Sequence, residues 1–209
     1  MNSKSKIAGP VIVLLHLVGL TGTITDNPFR ELILSLTPVN LLVSAGLLIL
    51  TAGSVKKTLL FLLSTYLIGF IAEWFGVNTG IIFGEYKYGD VLGPLVSGVP
   101  LIIGINWFIL AYATGTIINY FSLPILIKVL IGATFMTLID FLIEPVAIYL
   151  DYWEWSGHEI PLSNYLGWWI VSFVIHLLFF SFLKTEKNIT SIYLVASQII
   201  YFTFVIIFG

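Results

Sequence analysis

The 209-residue sequence contains no cysteine, only three histidines and just 10% charged residues. The first absence removes structural disulfides, thiol nucleophiles and thiolate metal ligands, while carrying no information about compartment. His16, His158 and His176 are far apart in the chain and form no ligand motif, so no metal site is expected. Nine Lys plus Arg against eleven acids give a formal charge of −2. That leaves no basic field for a nucleic acid, and DNA and RNA are set aside as partners. Long polar intervals are also scarce, so nothing marks off a separate soluble domain. Residues 1–209 read as a single integral membrane domain.

What the sequence does contain is apolar surface: 58% hydrophobic residues and a mean hydropathy of +1.04. A water-soluble globule of this size could not hide so much, and lipid must be the solvent. A spanning helix needs about 20 mainly apolar residues. Segments of that kind recur at about 8–24, 32–52, 58–76, 99–118, 124–148, 164–183 and 190–208. The expected fold is therefore all-α, a polytopic transmembrane bundle of about seven helices. Lys4 and Lys6 before the run Val11–Leu20 resemble the start of a signal peptide. A first helix that begins insertion makes a cleaved signal unnecessary, and the retained helix is the simpler reading. The fifth segment is expected to break or finish near Pro145.

Charge asymmetry tests the helix count independently, because basic residues prefer short cytoplasmic segments. With seven helices and a cytoplasmic amino terminus, Lys4, Lys6, Lys56, Lys57, Lys128, Lys184 and Lys187 lie inside, and Arg30 and Lys87 outside. An even count would spoil that division. The same topology puts every acid except Glu186 at or toward the outer side. The outer loop at about 77–98 interleaves Gly80, Gly84, Gly89, Gly93 and Gly98 with Phe83, Tyr86 and Tyr88, and reads as a folded cap at the lipid interface.

Three carboxyls fall within or at the end of helices: Glu73, Asp140 and Glu144. A carboxylate in hydrocarbon must face a bundle interior, a polar cavity or another ionisable group. Asp140 and Glu144 are four apart and share a helical face. Two readings follow: groups that hydrogen-bond helices or reach the outer interface, or a site that pairs a proton donor with a charge-stabilising partner. Gly76, Gly80 and Gly84 make no phosphate loop, and Asn78 and Thr79 read as capping or hydrogen-bonding residues. His158 is a surface residue or a proton relay, and His16 and His176 are isolated within the membrane.

In order along the chain stand Glu73-Trp-Phe-Gly-Val-Asn-Thr-Gly80, Phe83-Gly-Glu-Tyr-Lys-Tyr88, Leu92-Gly-Pro94 and Gly98-Val-Pro-Leu101. A second block holds Asp140-Phe-Leu-Ile-Glu144-Pro145, Trp153-Glu-Trp155, Pro161, Asn164 and Gly167-Trp168. Together these resemble the carotenoid biosynthesis membrane proteins that include the bacterioruberin-pathway and myxol-pathway carotenoid hydratases, over a core of about residues 70–170. The resemblance implies addition of water to the terminal carbon–carbon double bond of a long acyclic carotenoid, giving a tertiary alcohol by chemistry that needs no cofactor. It implies Asp140 or Glu144 as the proton donor, with Glu73 orienting water or balancing charge. Trp74, Asn78, Thr79, Phe83, Tyr86, Tyr88, Trp153, Trp155, Asn164 and Trp168 become the expected substrate-binding residues, although Trp and Tyr also collect at membrane interfaces as anchors. Expected partners are the carotenoid, the bilayer and neighbouring carotenoid-pathway enzymes, in a prokaryotic cytoplasmic membrane. Alternatives are an end-group isomerase or cyclase, a small proton-coupled transporter, and a carotenoid-binding or assembly protein. The transporter would call for an internal repeat with paired broken helices, and the chain has no clear one.

Overall fold

The computed structural model describes residues 3–26 and 28–209. Its helices are α1 (Ser3–Ile24), α2 (Arg30–Ser35), α3 (Thr37–Leu50), α4 (Val55–Thr79), α5 (Ile103–Ile118), α6 (Ile125–Tyr149), α7 (Leu162–Phe182) and α8 (Ile189–Phe208). Four short strands, β1 (Tyr86–Tyr88), β2 (Leu95–Val96), β3 (Val99–Pro100) and β4 (Trp153–Trp155), lie in the connections. Among the described residues five helices, α1, α4, α6, α7 and α8, are long and apolar enough to cross a membrane; α3 and α5 are apolar and shorter. The protein is an all-α polytopic bundle and an integral membrane protein.

The shortness of α5 follows from where it sits. From Trp107 to Thr116 every residue is buried, so this helix is wrapped by the others. A helix apolar on all sides belongs in an interior. Its 16 residues rise only about 24 Å, which suffices because it need not meet lipid. The outer helices turn leucine, isoleucine and phenylalanine outward instead, including Leu59, Leu63, Leu67, Leu138, Ile170 and Phe204. Exposed apolar side chains at this density identify a lipid-facing surface.

At one end of the bundle the α3–α4, α5–α6 and α7–α8 connections meet. Asn188 donates to the Leu48 carbonyl at 3.1 Å, Asn119 donates to the carbonyls of Leu183 and Glu186 at 3.0 Å each, and Gly53 N–H donates to Glu186 at 2.6 Å. These side chains satisfy carbonyls that helix ends leave open. At the other end lie the strands and the ends of α1, α4, α6 and α8, where Arg30 reaches the Tyr149 hydroxyl at 3.4 Å and Thr37 meets the Tyr152 hydroxyl at 2.9 Å. The helices α1 and α8 run parallel, with Gly9 against Tyr193 and Thr23 bonded to Tyr201 at 3.0 Å. The described chain therefore begins at the connection end and finishes at the stranded end, as an odd number of crossings requires.

Two local expectations are corrected. The segment expected as one helix over 32–52 is divided at Leu36 into α2 and α3, because Pro38 in the first turn of α3 supplies no backbone donor and the Thr37 hydroxyl takes the Leu34 carbonyl at 2.8 Å. The break expected near Pro145 does not occur, and α6 continues through it to Tyr149.

All seven lysines assigned to the cytoplasm are on residues or connections at one end. We expect that end to face the cytoplasm. Cysteines introduced singly at Ser97 and Ser156, both exposed at the stranded end, should react with an impermeant maleimide from outside intact cells. Labelling of either one only after the cytoplasm is opened would reverse the orientation.

Candidate active site

The site begins with two short alternating segments. In a strand successive side chains point to opposite faces, so Tyr-Lys-Tyr and Trp-Glu-Trp each present two aromatics on one side and a charge on the other. Strands β1 and β4 pair antiparallel, setting Tyr86 opposite Trp155, Lys87 opposite Glu154 and Tyr88 opposite Trp153. The outward pair closes as an ion pair of 2.6 Å with both side chains exposed, a contact of the weak surface kind. The inward face is a wall of four aromatics, with ring centroids 5.0 Å apart for Tyr86 and Trp155 and 5.9 Å apart for Tyr88 and Trp153.

This wall is wired to two carboxyls on two helices. Tyr86 and Tyr88 donate to Glu73 Oε2 at 2.5 and 2.7 Å, and Trp107 of α5 donates to Glu73 Oε1 at 3.0 Å. Trp153 and Trp155 donate to Glu144 Oε2 at 3.0 Å each, and Asn164 of α7 donates to Glu144 Oε1 at 2.7 Å. The ribbon thus fastens α4 to α6, its tyrosines serving one helix and its tryptophans the other. Burial, with the neighbouring Glu73 adding to it, pushes both phenols above the ordinary tyrosine range and keeps them protonated donors.

Asp140 is wired differently. It lies one turn before Glu144 and is 0% exposed. The second amide hydrogen of Asn164 reaches its Oδ2 at 3.3 Å, and its Oδ1 has no hydrogen-bond partner. Asn164 joins Asp140 to Glu144, and the contacting rings of Tyr86 and Trp155 join Glu144 to Glu73, so the three carboxyls belong to one connected network. Among the described residues no three His, Asp or Glu are placed to hold a common metal ion. An ionised carboxylate only accepts, whereas a protonated one has an O–H to give. Glu73 and Glu144 each receive three donated bonds and suit the first state. Asp140, with an oxygen left over, suits the second.

The structure gathers most of the residues expected at the site. Phe83 is buried against Tyr86 and Trp107, and Trp168 stacks on Trp107 with centroids 4.0 Å apart and an interplanar angle of 15°. Asn164 bridges the two acids of α6. Three of the residues lie outside the cluster. Trp74 is 43% exposed, as the residue next to Glu73 on a helix must point elsewhere. Asn78 donates to the carbonyls of Trp74 and Ser97, and Thr79 donates to that of Phe75. Their visible work is to close the end of α4.

Trp107 is the residue that sequence reading missed. It lies wholly buried in the apolar α5, where an indole N–H needs a buried acceptor; that requirement was its only signal. It reaches Glu73 by seating its ring over Gly69, one turn earlier on α4, where any Cβ would collide with it.

A family profile described as "Carotenoid biosynthesis protein" matches residues 32–209. The bisanhydrobacterioruberin hydratase of Haloarcula japonica is 29% identical over 121 residues, a match covering 51% of this chain and 39% of that protein. No solved structure matches the chain.

Proposed function

Because the chain belongs to the carotenoid biosynthesis protein family, we propose that it hydrates the terminal carbon–carbon double bond of a long acyclic carotenoid. The observation that carries this reading is the unequal wiring of the three carboxyls: one acid with an unpartnered oxygen beside two whose every bonded neighbour is a donor. The similarity to a hydratase supplies the class of reaction.

Asp140 protonates the less substituted carbon of the trisubstituted alkene, leaving a tertiary cation at its neighbour. Glu73 and Glu144 provide negative charge that is already oriented by their donors, so little reorganisation accompanies cation formation. The faces of Tyr86, Tyr88, Trp153 and Trp155 add the attraction of an aromatic surface for a cation. Water then bonds to the cationic carbon and loses a proton, which restores Asp140. One alkene and one water become one tertiary alcohol, with no change of oxidation state. The long polyene lies in the bilayer, where neighbouring enzymes of the same pathway would deliver and remove it.

A cyclase or isomerase shares the first step. The tight burial of all three acids favours that second reading, because a cation kept from water loses a proton or is attacked by its own chain. Expression in cells that make one defined acyclic carotenoid separates the two. A pigment heavier by one water, with the hydroxyl at the tertiary carbon, is the expected product. A new pigment of unchanged mass would replace hydration by isomerisation or cyclisation, and unaltered pigment would remove the enzymatic reading for that carotenoid.

A further inference from the structure

Beside the acids lies a cavity of about 230 Å³, lined by residues of α1, α3, α5 and α8. Trp153 belongs to both places: its N–H donates to Glu144 and its side chain lines the cavity. Ile143, the residue before Glu144, is part of the same wall. Toward the lipid the cavity is bordered by Val18 of α1 and by Val39 and Val43 of α3, all exposed. A molecule dissolved in hydrocarbon can therefore enter sideways between these helices.

No lysine, arginine, aspartate or glutamate lines the space, which suits a neutral occupant. The lining is nevertheless polar in one respect: His16, Asn40, Asn106 and Gln198 reach it from four different helices. Gln198 lines the space and is only 5% exposed. His16 Nδ1 lies 2.8 Å from the Ile12 carbonyl, so this nitrogen carries the ring proton and Nε2 is left as an acceptor. Polar groups inside a membrane protein are costly unless paired, and the open imidazole nitrogen requires a donor. A hydroxyl is neutral, and it both donates and accepts, so it pairs with an amide in either orientation.

We propose that this cavity binds the hydroxyl-bearing end of a long isoprenoid, with Gln198 and His16 as partners of the hydroxyl and the chain leaving between α1 and α3. Its volume is smaller than the roughly 300 Å³ at which pockets begin to enclose a whole drug-sized ligand. The branched end fits, and the remaining chain stays in lipid. With Trp153 standing between the cavity and Glu144, the tertiary alcohol made at the acids has a receiving site directly beside them. The proposal rests on the isoprenoid reading given above, and on no choice among the three acids.

Binding can be measured apart from turnover with ligands that have no double bond. The full-length protein, immobilised in detergent, would be titrated by scintillation proximity with a tritiated saturated diterpene tertiary alcohol and with the tritiated alkane of the same skeleton. The alcohol should bind about tenfold more tightly, the scale of one or two hydrogen bonds in an apolar site. Gln198→Leu should abolish that preference while leaving alkane binding unchanged, and Val39→Trp at the mouth should weaken both ligands. If Gln198→Leu does not yield folded protein, His16→Leu makes the same comparison. Equal affinity for alcohol and alkane in the unaltered protein, or a preference that survives the substitution, overturns the proposal. A chain that binds as expected yet leaves pigments unaltered would refute the hydratase reading and spare this one.

Discussion

Asp140→Asn is expected to lower hydration turnover by about 10²-fold or more, the usual lower scale for loss of a general acid. Asparagine preserves the shape of the side chain and removes the proton at the one buried carboxyl that has an oxygen to spare. Neither Glu73 nor Glu144 should rescue it, because the hydrogen bonds they receive leave them without a comparable free oxygen. Glu144→Gln should be the milder change. It keeps an oxygen for the two tryptophans, loses the bond accepted from Asn164, which can turn its own amide oxygen to the new N–H, and removes negative charge near the cation. Purified variants assayed in one detergent, with folded protein quantified, would test the ordering. Near-normal hydration by Asp140→Asn would remove it from the role of acid.

The second large effect is on stability. Glu73→Leu should destabilise the protein by about 3–5 kcal/mol, since it leaves the Tyr86 and Tyr88 hydroxyls and the Trp107 N–H without their acceptor, and each orphaned buried donor costs about 1–3 kcal/mol. The sum is kept below the simple total because the two hydroxyls can turn toward other partners or water. Glu73→Gln retains an amide oxygen and should lose less stability while still impairing turnover through the missing charge. Thermal unfolding followed by tryptophan fluorescence would report both. A melting temperature unchanged by Glu73→Leu would contradict the idea that this carboxylate holds the stranded cap to the bundle.

The burial of Glu73, Asp140 and Glu144 in apolar helices explains how much of the site was legible. An acid in an apolar helix must have a reason, and that alone singles out Glu73, Asp140 and Glu144. The alternation Tyr-Lys-Tyr and Trp-Glu-Trp is equally local, and it marks two short strands with aromatic faces. What local pattern cannot reveal is that these strands pair with each other across more than sixty intervening positions. Without that pairing, the four aromatics are indistinguishable from interfacial anchors, which is what Trp74 resembles in its exposed position. Trp107 and the polar lining at Gln198 escaped notice for the same reason: each lies in a strongly apolar helix, and its partner comes from elsewhere in the fold.

The sequence by itself determined the solvent, the helical class and the presence of acids within apolar helices. These follow from hydropathy summed over about 20 residues and from the rarity of charge within such runs, quantities that need no knowledge of neighbours. Only the tertiary structure decided that α5 lies at the centre, that one ribbon serves two carboxyls, and that Asp140, unlike Glu73 and Glu144, keeps an oxygen without a hydrogen-bond partner. Hydrogen bonds act over about 3 Å. Which donor meets which acceptor is therefore fixed by the packing of helices distant in the chain.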